Sequence, residues 1–111
     1  MPMLYWKSTC TTCRDVRTAL RARSPSLAEK NYSKEALTVD EVRALIPATP
    51  PAAALLNTTH EIAKARGWKA SPPDAETFAV EAAKEVNLLR RPILLVGDRA
   101  WVHKACLDAP L

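Results

Sequence analysis

No apolar run in the 111-residue sequence approaches the roughly 20 residues needed to cross a bilayer. The opening, Met1-Pro2-Met3-Leu4-Tyr5-Trp6-Lys7, lacks the basic-then-apolar layout of a secretory signal. These absences predict a cytoplasmic chain that engages no membrane, in a compartment where thiols are normally kept reduced. No internal repeat, low-complexity tract or linker divides it, and the length suits one domain with a real core but not two. Cysteine is scarce, and its count of three is odd. That argues against a disulfide scaffold and for a working thiol pair plus one extra. Basic residues exceed acidic ones by 16 to 12, a net charge of +4. Anionic ligands are mildly favoured, but this is not the charge density of a nucleic-acid-binding protein.

What is present is most informative at Cys10-Thr11-Thr12-Cys13. Met3-Leu4-Tyr5-Trp6 reads as a buried strand, and Thr11 through Arg23 reads as a helix in which Cys13, Val16, Ala19 and Leu20 share one face. A thiol at the junction sits over unpaired backbone amides and the positive end of the helix dipole. Both favour the thiolate, the reactive form of cysteine. Cys13, one turn on, is placed either to reach back to Cys10 as a second redox thiol or to pack as a small apolar residue on the core side.

Leu27 to Tyr32 reads as a second strand after the Ser24-Pro25-Ser26 break. Thr38-Val39-Asp40-Glu41 is a capping box, with Leu37 and Val42 placed to staple it and Val39, Val42, Leu45 and Ile46 as a buried stripe that Pro47 stops. Pro50 and Pro51 fit the first turn of a short helix through Leu56. Thr58-Thr59-His60-Glu61 reads as a second capping box, with His60 a surface residue at the helix start. Gly67 is placed to end that helix by a left-handed cap. Ser71-Pro72-Pro73-Asp74 starts another helix that Asn87 can cap. Ile93-Leu94-Leu95-Val96, Gly97-Asp98 and Ala100-Trp101-Val102-His103 read as a hairpin, and one helical turn fits between Lys104 and Pro110. Strand, helix, strand, helical block and hairpin, with a Cys-x-x-Cys after the first strand, predict an α/β, thioredoxin-like, three-layer fold. It is expected to be a single domain over 1–111, with a small mixed four-stranded sheet and a helical insertion at about 38–87.

Several side chains carry open alternatives. Arg17 and Arg21 read as a solvated basic face, whereas Arg14 lies in the first helical turn beside the cysteines. Cys106 reads as a free packed thiol, although Cys10, Cys13, His103 and Cys106 are together the right donors for zinc. Trp101 reads as packing. Trp6 adjoins the reactive loop and is a candidate substrate contact.

Three segments resemble one family. Tyr5-Trp6-Lys7-Ser8-Thr9-Cys10-Thr11-Thr12-Cys13-Arg14 looks like the opening motif of the arsenate reductase and Spx family. Leu88-Leu89-Arg90-Arg91-Pro92-Ile93 resembles its Arg-Pro element before the third strand, and the stretch from Asn31 to Val42 is similar to its passage into the helical insertion. The resemblance implies that Cys10 is the nucleophile, that Arg14 and Arg91 line an anion site with Thr11 and Thr12, and that Pro92 is cis beside the thiol. Cys13 stands where Spx-type members keep a second redox cysteine. It further implies no bound cofactor, a small thiol or oxyanion substrate, and electrons from glutathione or a thioredoxin- or glutaredoxin-type donor protein. The sequence departs from the reductases at Asn57-Thr58-Thr59, where they carry an arginine, and after the hairpin, where only His103 or Lys104 stands in for a basic residue. Two functions follow as expectations. One is a thiol–disulfide oxidoreductase with Cys10 attacking and Cys13 resolving, arsenate being one substrate to test. The other is an Spx-type redox-sensing regulator that binds the RNA polymerase alpha subunit.

Overall fold

The computed structural model describes residues 2–111. Contacts divide them into two units, one formed by the chain up to Ala36 together with Arg91–Leu111, the other by Leu37–Arg90.

The first unit is built on a four-stranded sheet. Strands β1 (Met3–Trp6), β2 (Ala28–Asn31), β3 (Ile93–Val96) and β4 (Arg99–Val102) lie in the order β2-β1-β3-β4. β1 and β2 run parallel with Met3 opposite Ala28, while β3 is antiparallel to both β1 and β4, with Leu94 opposite Leu4 and Trp101. The apolar strands β1 and β3 take the centre. β2 is an edge, which is why it tolerates Glu29, Lys30 and Asn31. The helix α1 (Thr11–Arg23) and a terminal 3-10 turn (His103–Asp108) supply the other half of the core. There Leu4 and Leu94 meet Val16, Leu20, Leu27, Cys106 and Ala109. Burying each such leucine stabilises the unit by about 1.5–3 kcal/mol. Ala19 is exposed, so the buried stripe of α1 is Cys13, Val16 and Leu20. The basic face beside it is not simply solvated. Arg17 grips both oxygens of Glu29 on β2 at 2.9 Å, and Arg21 reaches the same carboxylate at 3.2 Å.

The second unit is helical: α2 (Val39–Ala48), a 3-10 turn (Ala52–Leu55), α3 (Glu61–Ala65), α4 (Ala75–Lys84) and a 3-10 turn (Val86–Leu88). Thr38 and Glu41 form the capping box, each satisfying an amide of the other, with Leu37 and Val42 buried as its staple. α2 lies against α4, where Arg43 holds Glu76 at 2.9 and 3.0 Å and also pairs with Asp40. Trp68 meets Phe78 edge to face with ring centroids 6.5 Å apart.

Four local expectations are corrected in this unit. Pro47 sits inside the last turn of α2 and the helix ends one residue later, because proline loses only its own amide there. Pro50 and Pro51 precede the short turn instead of opening it. The second capping box does not form: His60 itself is the cap of α3, its Nδ1 accepting from the Ile62 amide at 3.1 Å, and its side chain is only 17% exposed. α4 ends at Lys84, and Asn87 belongs to the following turn, its amide bonded to Glu85. Gly67, at φ +65°, ends α3 as expected; its amide bonds Lys64 and the next amide bonds Ala63, satisfying two terminal carbonyls.

Candidate active site

The reactive loop is fixed by the geometry of the strand it leaves. β1 ends at Trp6, and the Cys10 amide turns back to the Lys7 carbonyl at 3.0 Å. Cys10 then keeps an extended backbone (φ −103°, ψ 121°) as the N-cap of α1, and the Cys13 amide donates to its Sγ at 3.4 Å. Asn31 at the end of β2 braces this loop. Its Oδ1 accepts from the Ser8 amide at 3.2 Å and from Ser33, whose hydroxyl meets that of Ser8 at 2.8 Å. Arg14 braces it from the helix side, donating to the Ser8 carbonyl at 2.9 Å and to the Thr11 hydroxyl at 3.3 Å. Asn31 was not singled out as a site residue, although an asparagine at a strand end is a turn-forming signal.

The two sulfurs are driven in opposite directions. Partial burial raises the Cys10 thiol, but the amide and thiol of Cys13 and the hydrogen bond and charge of Arg91 outweigh it, so Cys10 is held below the ordinary thiol value. Cys13, fully buried, is pushed up to about 12, by burial first and by the neighbouring Cys10 as well. The fold thus brings Cys10, Cys13 and Arg91 together, with Pro92 directly behind. The Arg91–Pro92 peptide bond is cis, as the resemblance implies. Thr11 and Arg14 are bonded to each other beside the loop. Thr12 lies at a crevice of about 230 Å³ shared with Asp15, Val16, Lys104 and Leu107.

Tyr32, which sequence reasoning used only as a strand end, belongs to this cluster. It is 4% exposed, its amide is anchored to the Trp6 carbonyl at 2.9 Å, and its hydroxyl has no hydrogen-bond partner among the described residues. Burial pushes the phenol up, and the charges of Cys13, Arg91 and Cys10 also act on it. Trp6 packs against the core with Arg17 stacked 4.6 Å over its ring, which gives it a structural place rather than an open face at the loop. Cys106 is buried, its Sγ directed at the carbonyls of Trp101 (3.2 Å) and Pro92 (3.5 Å). His103 Nδ1 meets the Arg91 carbonyl. The four zinc donors considered from sequence are therefore engaged separately, and among the described residues no group of three metal-ligating side chains converges.

Together the strand order, the Cys-x-x-Cys at the head of α1 and the Arg-cis-Pro element give the chain a thioredoxin-like fold similar to that of solved arsenate reductases. The putative arsenate reductase of Yersinia pestis superimposes with a TM-score of 0.79 at 15% identity, covering 97% of this chain and 96% of that one. The arsenate reductase of Vibrio cholerae gives 0.78 at 17% identity, covering 96% and 92%. In sequence, the chain is 27% identical over 109 residues to the global transcriptional regulator Spx of Staphylococcus aureus, spanning 92% of this chain and 79% of that protein. No family model matches the chain. Both likenesses bear out the resemblance read from the three motifs: the fold is that of the arsenate reductases, and the sequence relatives are Spx regulators.

Among the described residues no helix is long and apolar enough to cross a membrane.

Proposed function

We propose that this chain is a thiol–disulfide oxidoreductase of the arsenate-reductase-like type, with Cys10 as nucleophile and Cys13 as resolving thiol. The observation that supports this most is the acidity contrast between two sulfurs one helical turn apart. Cys10, its pKa lowered by the Cys13 amide and Arg91, attacks as the thiolate a disulfide R–S–S–R′, forming Cys10–S–S–R and releasing R′–S⁻. The departing thiolate takes up a proton. Cys13 then loses its own proton to solvent or to the second leaving group and attacks Cys10 Sγ, forming the Cys10–Cys13 bond and releasing R–S⁻. Two electrons from glutathione or a thioredoxin- or glutaredoxin-type protein restore both thiols. The buried Cys13 keeps its proton until the mixed disulfide has removed the negative charge of Cys10, which orders the two steps.

The same amides and Arg91 suit a tetrahedral oxyanion, so arsenate is the first oxyanion to test. Positions 57–59 supply no cation for it: Asn57 bonds the Asn87 carbonyl and the Thr59 hydroxyl instead. Reduced protein is mixed with arsenate or with a model disulfide, quenched, and its linked cysteines are identified by mass spectrometry. Cys10→Ser is expected to abolish turnover, and Cys13→Ser to accumulate the Cys10 mixed disulfide. Full turnover in Cys10→Ser would overturn the assignment.

The Spx likeness supports a second reading, in which the Cys10–Cys13 bond is a switch that changes binding to the RNA polymerase alpha subunit. A pull-down with purified alpha subunit that responds to oxidant, without steady disulfide turnover, would favour it.

A further inference from the structure

His103 is the one described residue other than glycine with a left-handed backbone, at φ 60°. Glycine takes that conformation freely, whereas a side chain there needs a reason, although histidine is among the residues found in it more often than most. The reason lies on the ring. With the backbone turned this way, Nδ1–H donates to the Arg91 carbonyl at 3.1 Å while the His103 amide donates to the Pro92 carbonyl at 2.7 Å. Cys106 adds a thiol contact to the same Pro92 oxygen. The two consecutive carbonyls that carry Arg91 and Pro92 are thus clamped from one turn at the end of β4.

We infer that His103 is a positioning residue, whose ring fixes the Arg91 peptide so that the guanidinium stays against the Cys10 sulfur. Clamping these carbonyls holds the Arg91–Pro92 peptide in place, and the Cα that carries the guanidinium side chain is bonded directly to it. A guanidinium acts on a thiolate through a hydrogen bond and a short-range charge, both of which weaken quickly when the side chain swings away. The groups facing Cys10 are Cys13 from α1, Arg91 from the lead into β3 and Tyr32 after β2, so Arg91 is the cation among them. The inference rests on the reading of Cys10 as the ionised nucleophile.

The test is the pH dependence of Cys10 alkylation by iodoacetamide in the full, reduced chain, with the Cys10 peptide followed by mass spectrometry. His103→Gly keeps the left-handed backbone without strain and removes only the ring. It is expected to melt no lower than the parent by more than a few degrees, yet to raise the Cys10 midpoint by about one pH unit. His103→Asn places an amide nitrogen where Nδ1 stood and tolerates the same backbone, so it is expected to restore the parental midpoint. A folded His103→Gly with an unchanged midpoint would overturn the inference, and so would a folded His103→Asn whose midpoint is raised. Should the glycine variant not fold, His103→Ala, which also lacks the ring, takes its place with the same two outcomes. An ordinary thiol midpoint in the parent chain would instead overturn the functional reading itself.

Discussion

Three thiols that are chemically equivalent in the unfolded chain are sorted by their surroundings into one with a lowered pKa and two with raised ones. Burial lifts both Cys13 and Cys106 from an ordinary 9.0 to about 12. For a group raised in the folded state, the stabilisation is complete below the unfolded value and is lost as pH rises toward the folded one. Reduced protein should therefore lose stability above pH 9, by about 1 kcal/mol per buried thiol at pH 10. Urea midpoints at pH 8 and pH 10 measure this, and Cys106→Ala should flatten the slope while lowering the baseline. Cys10 runs the other way: its contribution is present above the ordinary thiol value and is lost as pH falls through its lowered one. Tyr32 offers a separate test. Its buried hydroxyl is unmatched, so Tyr32→Phe removes a desolvated polar group without opening a cavity and should leave stability unchanged or raise it, by at most about 1 kcal/mol in urea denaturation. The placement of Cys10 at the head of α1, with the Cys13 amide donating to its sulfur, was legible because a Cys-x-x-Cys after an apolar strand is a local pattern. The parts played by Tyr32, Asn31 and His103 were not, since each depends on a neighbour that only the folded sheet brings close.

Elements whose ends are written in adjacent residues formed as expected. α1 runs from Thr11 to Arg23, and the Thr38–Glu41 box opens α2. Thr38→Ala should cost about 1 kcal/mol, because the Glu41 amide loses its acceptor, and thermal melting would show it. Gly67→Ala should cost about 1–2 kcal/mol for a different reason. Nothing stands within 4 Å of an added methyl there, so the loss is the left-handed backbone alone. A melting point unchanged in Gly67→Ala would show that α3 ends differently in solution. The misread ends share a cause. A histidine at the start of α3 does the work usually given to threonine, and α4 stops at Lys84 because Glu85 turns to bond the Asn87 amide. The weak signal for β2 is likewise physical, since an edge strand need not be apolar on both faces.

At the scale of the molecule, the sheet is closed by pairing residues from opposite ends of the sequence, Met3 with Leu95 and Leu4 with Leu94. No local pattern specifies that β3 inserts beside β1, so the sequence supported a small mixed four-stranded sheet but not its order β2-β1-β3-β4. Leu94 is central to the packed layer of the first unit, and Leu94→Ala should cost about 2–5 kcal/mol in urea or heat. A smaller loss would mean that the layer collapses around the gap.

Arg23 joins this same unit end to end, donating to the carbonyls of Leu107 at 3.0 Å and Ala109 at 2.7 Å. Together with the β1–β3 pairing, it gives the site a calendar. While the ribosome is still translating the helical block, the guanidinium of Arg91 does not yet exist, and the nascent Cys10 is an ordinary, slow-reacting sulfur. The cation that lowers its pKa therefore arrives only once translation has passed residue 91.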